Sequence, residues 1–151
     1  MKTPYRDTAV TVDKSRQQIV AMLCATWRAR GCQWEDDFDT GRTVLRFRWK
    51  ADDEAEVVVR LTLDPDPARV KGRAADRESL RARESKRLHR VAYWWLKSMA
   101  EAVDAGLLKR EQVLLPWVET VRGQTVAELL MPRLADLSAG RIALNPAKGA
   151  T

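Results

Sequence analysis

Histidine occurs once and cysteine twice in the 151 residues. A zinc site of the usual Cys/His kind needs more ligands than that, so none is expected. Cys24 and Cys32 fit no Cys-x-x-Cys spacing and read as free buried thiols. No apolar run approaches the roughly 18 residues of a membrane-spanning helix, so no membrane partner is expected. Met1 to Asp13 lacks the apolar core of a secretory signal, which makes the cytoplasm the expected location. The phosphate-binding loop, the dinucleotide glycine pattern and the Gly-x-Ser-x-Gly elbow are all missing. These absences point away from an enzyme, and no cofactor is expected.

What the chain does have is an uneven charge. The formal net charge is +6, from 27 Lys and Arg against 21 Asp and Glu. Arg69 to Arg90 holds nine Lys or Arg and three acids, which is the entire excess in 22 residues. The other 129 residues carry 18 basic and 18 acidic side chains. A length of 151 residues with 45% hydrophobic residues can bury one core without disulfides. A single domain over residues 1–140 is expected, with a flexible tail at 141–151.

Hydrophobic period then suggests the elements. Thr8 to Val12 alternates and reads as a short strand. Ser15-Arg16-Gln17-Gln18 is a capping-box pattern, predicting a helix to about Arg30 with Gly31 ending it. Ile19, Met22, Leu23 and Trp27 give that helix an apolar face. Cys32 to Trp34 can open a sheet, with Glu35 to Gly41 as a turn. Thr43 to Lys50 alternates Leu45, Phe47 and Trp49 against Arg46, Arg48 and Lys50, the mark of a strand with one wet face. Asp52 to Glu54 turns the chain, and Glu56 to Leu63 pairs back with Val57, Val59, Leu61 and Leu63 inward.

A basic linker is expected over 66–78. A long helix follows from Arg77 or Ser79 to Ala105, with Leu88, Val91, Trp95, Met99, Ala102 and Val103 as its apolar stripe. Its first turns, Ser79 to Arg87, hold only Leu80 as a large apolar residue and should project from the core. Beyond it, Lys109 to Leu115 is short helix stopped by Pro116, and Gly123-Gln124 is a turn. Thr125-Val126-Ala127-Glu128 is a second capping box, opening a helix to about Leu137 with a kink at Pro132. The expected fold class is α+β. A small, mostly antiparallel sheet of three or four strands is packed by an N-terminal helix, then come the long basic helix and a helical C-terminal region.

The basic helix carries the main functional expectation. Arg83, Arg87, Arg90, Trp94 and Lys97 share one stripe at helical spacing, opposite the apolar one. Cations in that pattern neutralise phosphates and release counterions, while Trp94 is placed to stack on a base. Arg69, Lys71 and Arg73 add a basic arm, and Arg46, Arg48 and Lys50, with Arg42 and Arg60, add a second cationic face on the sheet. DNA or RNA is therefore the favoured partner, bound non-specifically or by its structure rather than by its sequence. The alternative is a small protein–protein effector or inhibitor using the same face against an acidic protein surface. An ordinary solvated face and a core-edge Trp94 are the bland readings of the same residues.

Other chemistry is thin. His89 has no carboxylate fixed beside it by sequence and reads as a bystander. Asp37-x-Asp39-x-Gly41 begins like a calcium loop, but the glycine falls one residue early and Arg48 holds the closing position. It reads as a hairpin turn. Asp64 and Asp66 could hold Mg²⁺ for a nuclease, yet Pro65 and Pro67 favour a turn.

Four stretches carry a family resemblance: Val10 to Ser15, Gly41-Arg42 before a strand, Leu115-Pro116-Trp117-Val118, and Gly123 to Pro132. Together they resemble a family of small proteins of tailed phages and prophages, across residues 8–135. The resemblance implies a phage setting and transfers no active-site residue.

Overall fold

The computed structural model describes residues 3–50 and 56–140. The expected turn at Asp52 to Glu54 and the expected tail at 141–151 lie outside the described residues. The chain forms helix α1 (Val12–Ala25), strands β1 (Arg30–Asp36), β2 (Thr43–Lys50) and β3 (Glu56–Leu63), and the long helix α2 (Ala74–Asp104). Three short helices follow, α3 (Arg110–Leu114), α4 (Val126–Leu130) and α5 (Leu134–Ser138). The fold is α+β.

The sheet is an antiparallel meander in the order β1-β2-β3. β2 and β3 match their alternating sequences residue for residue, with Leu45, Phe47, Trp49, Val59 and Leu61 turned inward. Burying each such side chain contributes about 2 kcal/mol. Ile19 and Leu23 of α1, Leu96 and Ala100 of α2, and Val113 and Leu114 of α3 complete one core with them.

Thr8 to Val12 is not a strand. Thr11 is the N-cap of α1, its hydroxyl accepting from the Lys14 N–H, and Thr8 accepts from Val10 in the same local manner. Hydroxyls that bond nearby amides compete with strand pairing. Ser15 therefore lies inside the helix and is buried. α1 also ends earlier than expected, at Ala25, because the chain turns through Arg28 at φ 57°. Gly31, at φ 60°, sits where the β1–β2 register shifts, and a Cβ there would strike the Arg48 guanidinium at 3.0 Å.

α2 starts at Ala74, inside the expected linker, with Arg73 as its N-cap. Gly72 packs so closely on Leu80 that a Cβ would sit 2.8 Å from its Cδ1. The loop thus covers the lone apolar side chain of the leading turns. Ala74 to Arg83 is otherwise exposed, and burial begins at Glu84 rather than at Leu88. The buried line is His89, Leu96 and Ala100, with Trp95 and Met99 at its margin. That is the expected stripe rotated by one residue, about 100° on the wheel.

At the C-terminal end, Pro116 and Pro132 each sit in a 3-10 turn, at Leu115–Trp117 and Met131–Arg133. Pro132 splits the expected helix into α4 and α5 rather than kinking it. The Thr125/Glu128 capping box is formed as expected. Glu119 bonds the Val58 carbonyl, which lays this segment against the edge of β3.

Candidate functional site

The leading end of α2 separates two clefts. One, of about 330 Å³, is lined by Arg6, Arg69, Leu80, Arg83, Glu84 and Arg87. The other, of about 810 Å³, is lined by Arg16, Asp36, Phe38, Arg42, Arg77 and Arg81, with Glu78 also on its wall. The ring of Phe38 at its rim is almost fully exposed.

Several of the candidate cations are already matched by carboxylates. Arg87 bonds Glu84 through two nitrogens, at 2.8 and 2.7 Å. Burial alone would raise the Glu84 carboxyl, but the Arg87 hydrogen bonds and charge hold it below its ordinary value. Arg83 pairs with Asp7 and donates to the Arg6 carbonyl, while Arg69 pairs with Asp66 at 3.1 Å. Of the nine cations between Arg69 and Arg90, six remain without an ion pair among the described residues. They are Lys71, Arg73, Arg77, Arg81, Lys86 and Arg90; the same segment also contains the acids Asp76 and Glu78.

Arg90 donates to Gln18 at 2.6 Å and lies over the Tyr93 and Trp94 rings. The Lys97 ammonium stands 4.9 Å from the Trp94 centroid. Trp94 is half-buried and its ring runs parallel to that of Tyr5, at 6.4 Å between centroids and 7° between planes. The stripe from Arg83 to Lys97 thus forms as a continuous helix side.

The sheet face differs from the free cationic surface expected. Arg46 pairs with Glu35 and Glu119, Arg60 with Glu119 and Glu128, Arg42 with Asp64, and Arg48 with Glu56 at 3.4 Å. Burial works against the Arg46 charge, and the two carboxylates outweigh it and raise its pKa. Lys50 is exposed and has no ion pair among the described residues. Glu119 and Glu128 come from far along the chain, so sequence spacing could not place them here.

A polar bridge links the two layers beside the larger cleft. Arg16 grips both oxygens of Asp36, at 3.0 and 2.5 Å, and its Nε donates to His89 Nε2 at 3.0 Å. Thr43 donates to the same carboxylate at 2.8 Å. His89 Nδ1–H donates to the Ser85 carbonyl at 2.8 Å, so the ring is the neutral tautomer. Burial, more than the Ser85 bond or the Arg16 charge, determines its shift and lowers its pKa below 6.5. His89 is buried and held in place by Arg16 and the Ser85 carbonyl.

Asp37 caps the β1–β2 turn by accepting from Asp39 and Thr40, as the hairpin reading required. Asp64 and Asp66 are engaged with Arg42 and Arg69. No group of three or more His, Cys, Asp or Glu among the described residues could hold a metal ion. Cys24 is exposed rather than buried, and Cys32 is half-buried. Burial and the neighbouring Cys24 push the Cys32 thiol up to about 11. No helix among the described residues is long and apolar enough to cross a membrane.

Sequence reasoning did not place Arg77, Arg81, Tyr5 or Asp7 in the site. Arg77 has no carboxylate three or four residues away and could have been found on that ground, whereas Arg81 has Glu78 and Glu84 at that spacing and is not singled out by local sequence. The fold and the site define an α+β protein with an arginine-rich helix end set between two clefts. In comparisons with protein-family models, curated proteins and solved structures, nothing matches this chain.

Proposed function

We propose that this is a non-enzymatic nucleic-acid-binding protein that grips the phosphate backbone without reading sequence. One observation carries the reading. The leading turns of α2 are exposed and present Arg73, Arg77 and Arg81, with Lys71 before them, free of carboxylate partners among the described residues. Cations held on a rigid, exposed helix contact phosphates at little ordering cost. Arg90 and Lys97 extend the contact along the helix, whereas Arg87, paired with the buried Glu84, chiefly holds the structure. A cytoplasmic, phage-encoded setting belongs to this proposal and rests on the sequence.

The test is retention on labelled single- and double-stranded DNA and on RNA. The triple change Arg73→Glu, Arg77→Glu, Arg81→Glu should abolish most retention. Arg73 and Arg77 lie at the first turn of α2, where acidic residues favour the helix dipole, and circular dichroism checks that the variant folds. Unaltered retention would overturn the reading. A stable protein complex that survives nuclease treatment and needs the same arginines would replace it with the acidic-partner alternative.

A further inference from the structure

Pro4 to Asp7 forms a tight turn against one side of α2. The hydrogen bonds, ion pair and ring contact that tie this N-terminal segment to the basic region use an aromatic plane, an anion or an oxygen acceptor. Arg69 donates to the Thr3 hydroxyl at 3.0 Å. Arg83 donates to the Arg6 carbonyl at 3.2 Å and pairs with the Asp7 carboxylate. The Tyr5 ring lies parallel to Trp94, whose ring is also flanked by Arg90 and Lys97. Tyr5 achieves this from φ 58°, a left-handed conformation that side chains other than glycine seldom adopt. A planar ring on tryptophan and an anion on arginine reproduce a base and a phosphate of a short single strand, since Trp94 and Arg83 lie about 16 Å apart along α2, a span of about two or three nucleotides.

The segment is also weakly held. The Asp7 side chain is 73% exposed, so its ion pair contributes little and exchanges readily. Tyr5 is itself 40% exposed.

We propose that Trp94, Arg83 and Arg69 form a site for a short run of unpaired nucleotides of single-stranded nucleic acid, which residues 3–7 occupy as an internal competitor. The inference rests on the function proposed above and narrows its ligand. The strand displaces the segment, a base replacing Tyr5 on Trp94 and a phosphate replacing Asp7 on Arg83. A duplex keeps its bases paired and stacked and cannot make the exchange without opening.

The experiment measures affinities of the full chain for an oligothymidylate strand and for a duplex hairpin. Tyr5→Ala changes no charge, and it should tighten strand binding by about tenfold, the scale of one base–aromatic stack. Duplex binding should stay within about twofold, because the backbone contacts it uses are untouched. Asp7→Asn should add to the strand gain, and Trp94→Ala should erase it in the Tyr5→Ala background. Circular dichroism checks that each variant folds. Equal gains on strand and duplex, or no gain with Tyr5→Ala, overturn the inference while leaving phosphate binding intact. Loss of all binding, in wild type as in variants, overturns both.

Discussion

Glu84 shows how one residue sorts a run of like charges into structure and surface. It is the carboxylate that the fold buries within the basic segment, 4% exposed, and it holds Arg87 by two hydrogen bonds. It also accepts from the Asp66 amide, tying the loop before α2 to the helix. Glu84→Gln would leave Arg87 half-buried beside a neutral amide. Loss of one partner from such a pair costs about 3 kcal/mol, which urea unfolding at pH 7 would show as a lower midpoint. A change below about 0.5 kcal/mol would mean the pair behaves as an exposed one. This contact was legible, since Glu84 and Arg87 are three apart on a helix. The Asp7–Arg83 pair was not, because nothing local brings a residue of the first turn to the middle of α2.

At the scale of elements, legibility followed the strength of the period. β2 and β3 alternate strictly and have the bounds their sequences imply. α1 began four residues early because Thr11 and Ser15 can both cap, and only burial of Ser15 decides between them. α2 was found, but its core side was misjudged. Leu88, Val91, Trp95 and Met99 outweigh His89, Leu96 and Ala100 in hydrophobicity, yet α1 and the sheet close over the latter. The projecting end survives this correction because burial starts at Glu84 whichever stripe is used. Hydrogen exchange should therefore divide the helix. Amides from Ala74 to Arg83 should exchange rapidly, and those from Leu88 to Ala100 should be protected by orders of magnitude more. Uniform protection along the 31 residues of α2 would show that its leading turns are packed rather than displayed.

For the whole molecule, two charge systems matter. The first is the bridge of Arg16, Asp36, Thr43 and His89, which joins α1, β1, β2 and α2. Burial keeps His89 neutral and its pKa below 6.5, and the Arg16 hydrogen bond lowers that of Asp36 below 3.8. Both shifts are downward, so the unfolded chain binds protons more readily. Stability from His89 is complete above about pH 6.5 and is lost as pH falls through its folded value. Asp36 adds a further loss below pH 3.8. Urea midpoints should be level from pH 8 to 7 and decline below 6.5; midpoints that rise on acidification would contradict the assigned tautomer.

The second system is the excess charge. Pairing removes Arg69, Arg83 and Arg87 from the count and neutralises most of the sheet face, leaving the excess on the exposed end of α2. That concentration was visible in composition, but which cations stay free depended on Asp7, Asp66, Glu119 and Glu128, placed by the fold. The most direct measurement is the salt dependence of binding to an oligonucleotide, wild type beside the Arg73→Glu, Arg77→Glu, Arg81→Glu variant. Each lost phosphate contact lowers the slope of log affinity against log salt by about one. The slope should fall by about three, with affinity falling alongside it. An unchanged slope in the variant, or a flat slope in the wild type, would contradict phosphate binding by this helix.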